Sequence, residues 1–191
     1  MTHWRPILLL LAAVVAILVG ACANVGVVGG AYYAPQYSWS EFYAVTDGRN
    51  FQVIVSGNPF PQLGEAEFKR RFLPVLQAAK PRPDLTFTYA PPPELPHPYY
   101  RVVLIFNAAN DLNANTVCAG QIRHKPEPTR PFDLFAIYCR DDLALSYTTA
   151  TTVATGPDDP RVYQLMAQLF LVLFPDQPLF RRGPPPPFRR W

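Results

Sequence analysis

Asp111-x-Asn113-x-Asn115 places three oxygen-bearing side chains at alternate positions, the spacing that opens a calcium-binding loop. Such a loop also needs glycine at its sixth position and a bidentate acid at its twelfth. Thr116 and Ile122 stand there instead, so the segment reads as a plain polar loop. The acidic pairs Asp141/Asp142 and Asp158/Asp159 are adjacent residues, which point apart on a turn and do not share a proton. His97 and His124 lie in proline-rich sequence, with no nearby serine or cysteine in a nucleophile-elbow context. A triad assembled in space would leave no such local trace. Cys118 and Cys139 belong to no CxxC or HxxxH spacing, which argues against a metal site. The expectation is therefore no catalytic residue, no metal and no cofactor.

Cys22 carries a more specific message. Arg5, with His3, forms a weakly basic start, and Ile7 to Val19 is an apolar run too short to span a bilayer comfortably. Leu18-Val19-Gly20-Ala21-Cys22 then resembles the lipobox of bacterial lipoproteins. In that family signal peptidase II cuts before the cysteine, and its sulfur carries a lipid. Each buried CH₂ of an acyl chain contributes about 0.8 kcal/mol to membrane binding. Ala23 after the cysteine implies, by the same family's sorting pattern, the periplasmic face of the outer membrane. Two alternatives stay open. Ala21-Cys22-Ala23 also fits an ordinary A-x-A cleavage site with release into the periplasm. The segment can also remain uncut as an inner-membrane anchor, because no charge occurs between Arg5 and Glu41.

Export bears on the other two cysteines. In an oxidising compartment an even pair reads as a disulfide, Cys118 to Cys139, worth about 3 kcal/mol in the chain-entropy model. Two buried free thiols are the alternative. The chain carries 17 Lys and Arg against 14 Asp and Glu. Arg5 falls in the signal, and Arg181, Arg182, Arg189 and Arg190 fall in the tail, so the body between is slightly acidic. That distribution lacks the basic face of a nucleic-acid-binding domain.

The elements that must position these residues follow from periodicity. Residues 1–21 form the signal. Residues 22–36, rich in Gly, Ala, Val and Tyr, read as a flexible tether; Gly26-x-x-Gly29-Gly30 lies in it and lacks the context of a phosphate loop. Residues 37–178 form one domain. Trp39 to Val45 and Phe51 to Val55 read as a hairpin turning at Asp47-Gly48. Gly64 to Lys80 is helical, with Phe68, Phe72, Val75, Leu76 and Ala79 on one face. Pro74 is expected to kink or split it. Leu85 to Tyr89 and Tyr100 to Phe106 are strands, the second central. Phe132 to Cys139 and Leu143 to Val153 form a second hairpin. Asp159 as N-cap and Pro160 at the first helical position open a last helix, which Pro175 stops. The fold class is α+β, a mainly antiparallel sheet of about six strands with two helices on one face. Residues 179–191 form a basic proline-rich tail, expected to be disordered.

Three surfaces are candidates for binding. Ser146, Thr148 and Thr152 share a strand face that suits either solvent or a sugar surface. The end of the last helix is apolar all round and offers Leu171 and Phe174 to a protein partner, or buries them. The tail, with Arg181, Arg182, Arg189, Arg190 and Trp191, suits anionic headgroups or an aromatic groove.

Gly57-Asn58-Pro59-Phe60, Tyr100-Arg101-Val102-Val103, Cys118-Ala119-Gly120, Tyr138-Cys139-Arg140-Asp141, Leu145-Ser146, Gly156-Pro157-Asp158-Asp159-Pro160 and Leu173-Phe174-Pro175 together resemble uncharacterised small lipoproteins of proteobacteria. The resemblance implies export, the cysteine pair and a common fold. It supplies no activity. The resulting expectation is a lipid-anchored envelope protein that acts by protein interaction or as envelope structure. The alternative is a module that binds a small ligand or glycan; a hydrolase without a recognisable motif comes third.

Overall fold

The computed structural model describes residues 26–94, 96–126 and 132–176. Its strands are β1 (Val27–Val28), β2 (Tyr32–Tyr33), β3 (Asn50–Ser56), β4 (Thr86–Thr88), β5 (Tyr100–Phe106), β6 (Phe132–Arg140) and β7 (Leu143–Thr152). Its helices are α1 (Trp39–Thr46), α2 (Glu65–Ala79), α3 (Ala114–Cys118) and α4 (Pro160–Leu173). The strands form one sheet in the order β1-β7-β6-β5-β3-β4, with β2 also paired to β7. Strands β5, β6 and β7 are antiparallel neighbours, whereas β3 runs parallel to both β4 and β5. The class is α+β as expected. The sheet has seven strands and is mixed, and the helices number four among the described residues.

Trp39–Thr46 is a helix, not the strand its apolar residues suggest. A short apolar run does not by itself separate the two periods. The deciding signal is Ser38-x-x-Glu41, a capping-box spacing. The Ser38 hydroxyl accepts from the Glu41 N–H, and Phe42 and Thr46 turn inward one helical turn apart. Asp47-Gly48 consequently ends a helix instead of closing a hairpin: Gly48 takes φ +66 and donates to Asp84 O at 2.6 Å. This frees β3 to pair in parallel with β4 through the β3-α2-β4 unit. Helix α2 runs unbroken through Pro74. Phe68, Phe72, Leu76 and Ala79 are all buried along its inner face, and burying each large side chain contributes about 1.5–3 kcal/mol. That outweighs the one backbone bond proline cannot make.

The segment expected to be a tether joins the sheet from residue 27. Val27 and Val28 pair with Thr151 and Ala150, and Tyr32 and Tyr33 with Tyr147 and Ser146. Its glycines serve close approach. A Cβ on Gly29 would collide with Thr149 Oγ1, and one on Gly26 would sit 2.8 Å from Leu165 Cδ1.

The two faces of the sheet are covered differently. Helices α1, α2 and α4 send Phe42, Phe68, Phe72, Leu165 and Phe170 into one core with Phe51, Leu104, Phe106 and Tyr138 of the sheet. On the other face a smaller cluster joins Val103, Ile105 and Ile137 to Ala114, Val117 and Cys118 of the short α3. The Cys118–Cys139 disulfide fastens α3 to β6 across a Cα–Cα distance of 5.6 Å.

Candidate functional site

The parallel strands β3 and β5 begin side by side, and proline excludes the connection 91–98 from the sheet beside them. Between these strand starts and that connection lies a cleft of about 380 Å³. Arg49, Asn50, Gln52 and Thr88 line it with polar groups. Pro91, Pro92, Pro93, Pro96 and Pro98 supply apolar wall, with Tyr99 and Tyr100.

Two polar features border this cleft. Gln52 donates its Nε2 to Tyr89 O at 3.4 Å, which fixes the amide; its Oε1 is buried with no hydrogen-bond partner. An unpaired buried acceptor costs about 1–3 kcal/mol. Tyr100 donates its hydroxyl to Glu41 Oε1, and Arg140 Nη1 lies 3.3 Å from the same oxygen. Burial, and then the Glu41 carboxylate, push the Tyr100 hydroxyl up to about 12, so it stays a neutral donor. Arg101, itself buried, sets its guanidinium 4.7 Å from the centre of the Tyr99 ring and donates to Cys118 O.

The residues singled out in the sequence are placed as follows. Asp111, Asn113 and Asn115 do not converge on a common point. Asp111 pairs with Arg123 at 3.0 Å, Asn113 caps α3, and Asn115 Oδ1 accepts from Ala144 N at 2.9 Å. Asp141, at φ +48, accepts from Tyr99 N at 2.8 Å and lies 3.5 Å from the exposed His97. Asp158 pairs with Arg71. Asp159 caps α4, and its bonds to the Arg161 guanidinium hold its carboxyl well below the usual range. Among the described residues no group of three or more His, Cys, Asp or Glu could hold a metal ion.

The hydroxyl row of β7 faces neither solvent nor a sugar. Ser146, Thr148 and Thr152 are buried beneath α4 and the N-terminal segment. Ser146 donates to Leu173 O at 2.6 Å and Thr148 to Gly29 O at 2.9 Å, so two of the three fasten neighbouring segments to the sheet. Leu171 is 71% exposed, but Phe174 is only 3% exposed and stacks on Phe42 with ring centroids 4.2 Å apart. The apolar patch expected at the end of α4 is thus reduced to Leu171. Cys22, Arg181, Arg182, Arg189, Arg190 and Trp191 lie outside the described residues. No residue pattern in the sequence marks the cleft itself. Only the cluster of prolines between two strands points to it, as a connection unable to join the sheet.

Fold and site together define an α+β domain with a mixed sheet, a disulfide on its thinner face and a cleft at the start of its parallel strands. No family model and no curated protein matches the chain. Among solved structures it is similar to the dodecamer of a PelC point variant from Paraburkholderia phytofirmans, at 11% identity and a TM-score of 0.38, over 78% of this chain and 97% of that one.

Proposed function

We propose that this chain is a lipid-anchored protein of the bacterial cell envelope whose domain binds a small polar ligand, a saccharide unit, in the cleft beneath the 91–98 connection. The observation that carries this reading is the lining of that cleft, where Gln52, whose Oε1 has no hydrogen-bond partner, stands among other polar groups. Arg49, Asn50 and Thr88 add donors and acceptors around it, while proline rings and Tyr99 offer flat C–H and aromatic surface. A pyranose has that same division between hydroxyl rim and apolar face, and the cleft volume falls in the range of small-ligand sites. The protein-partner reading keeps the exposed Leu171 but not Phe174, which is occupied within the core. The anchor rests on Cys22 and its lipobox-like sequence. Among the described residues no helix is long and apolar enough to cross a membrane.

Titration with soluble peptidoglycan disaccharide, followed by backbone NMR shifts, tests the cleft. Shifts confined to residues 49–52, 88–93 and 96–100, lost in Gln52→Leu, are expected. Shifts elsewhere, or none at millimolar sugar, refute saccharide binding there. Cys22→Ala is expected to release the protein from membranes; unchanged membrane association refutes the lipid anchor.

A further inference from the structure

Ser56 ends β3 and Val55 before it is buried in the aromatic core, so strand alternation puts the Ser56 side chain on the thinner face. There it meets His124, 68 positions away, with Oγ 3.0 Å from Nε2. The other ring nitrogen, Nδ1, lies 2.8 Å from Phe106 O. A carbonyl oxygen only accepts, so Nδ1 carries the ring proton and donates to it. In the neutral ring Nε2 then turns its lone pair toward Ser56, and the hydroxyl donates to Nε2. This is the polarity of a nucleophile activated by a base that a third group orients.

The ring is held from several sides. Gly57, at φ +83, is the residue on which it seats: a Cβ there would lie 3.1 Å from His124 Cε1 and 3.0 Å from Phe106 O. Ala108 bridges to His124 in the backbone, and the flanking bonds Lys125 N to Asn107 O and Ala109 N to Arg123 O measure 2.8 and 3.0 Å. The nucleophile thus sits on a strand and the base on a pinned segment, at the C-terminal ends of parallel strands, where open sheets place their sites. Ala108 also lines a cavity of about 190 Å³ with Leu112, Lys125 and Phe135.

We infer that Ser56 and His124 form a nucleophile–base pair that hydrolyses carboxylic esters. Ser56 Oγ attacks the ester carbonyl carbon while His124 Nε2 takes the hydroxyl proton. The bond from that carbon to the alcohol oxygen breaks, and His124 returns the proton to the departing alcohol. Water, reaching the exposed pair, then attacks the acyl-serine with His124 again as base, releasing the carboxylic acid and restoring Ser56. This activity is independent of the cleft, which lies at the opposite ends of the same strands.

The test uses the full-length protein in detergent with p-nitrophenyl acetate and with an alkyl fluorophosphonate. In the second reagent an Oγ–P bond forms and fluoride leaves. Peptide mapping is expected to find the phosphonyl group on Ser56 of the wild-type protein. Ser56→Ala abolishes labelling and turnover. His124→Ala lowers both by about 100-fold or more, the usual share of a general base, with part of the rate restored by added imidazole. An unlabelled Ser56 in the wild type overturns the proposal whatever the variants do. So does a His124→Ala protein that folds and is labelled at the wild-type rate, which would leave the bond a purely structural tie.

Discussion

The two faces of the sheet solve the burial problem in different ways. One is covered by three helices and filled with aromatic rings: Phe106 alone lies within 5.0–5.8 Å, centroid to centroid, of Phe68, Phe72 and Phe132. The other is covered by a five-residue helix and the segment that follows it, and a covalent bond holds them down. A helix that short cannot bury enough apolar surface to hold itself in place. The difference shows a division of labour. The thick face supplies cohesion, and the thin face leaves strand residues such as Ser56 and Phe135 within reach of solvent.

The largest expected effect breaks the thick face. Phe106→Ala removes a fully buried ring and is expected to destabilise the domain by about 3–5 kcal/mol, read from urea midpoints. A loss below about 1 kcal/mol would show that this core relaxes freely, and the contrast between faces would fail. Next comes the thin face. Replacing Cys118 and Cys139 together by serine is expected to cost about 2–5 kcal/mol. Hydrogen exchange should rise first in 107–125, before β5 to β7 are affected. Uniform loosening of both faces would mean that the disulfide ties the whole domain and not one side of it.

The smallest effect concerns the entry to α4 on the thick face. The Asp159 carboxyl is depressed by its bonds to Arg161, so the stability it adds is complete above its unfolded value near about pH 4. That stability is lost as pH falls from there toward the folded value. Asp159→Ala is expected to cost about 1 kcal/mol at pH 7, the usual worth of a cap. The gap between wild type and variant should then narrow as pH falls from about 4 to about 2. A gap that stays constant on acidification would mean that the carboxylate charge contributes nothing beyond the cap itself.

Much of this architecture is legible in the residues. Asp159-Pro160 announces α4, Tyr100–Phe106 announces a central strand, and the paired cysteines announce the bond that the structure contains. These are local or compositional signals: a cap, an unbroken apolar run, two thiols left over. Trp39–Thr46 misleads because eight residues with apolar positions fit either period, and its cap, Ser38 with Glu41, lies at the edge of the pattern. Residues 27–33 mislead because glycine and valine describe a loose chain as well as an edge strand seated closely on β7. The β7 hydroxyls mislead because a threonine row looks the same whether water or a buried carbonyl lies opposite.

By itself, then, the sequence determined the α+β class, the capped start of α4, the apolar face of α2, and the lipobox-like setting of Cys22. Each depends on neighbours in the chain. Tertiary structure alone decided the parallel pairing of β3, the burial of Phe174, the cleft around Gln52 and the meeting of Ser56 with His124. Those depend on which distant segments the sheet brings side by side. Hydrophobic periodicity sets which face a residue shows, but carries no record of what that face will touch.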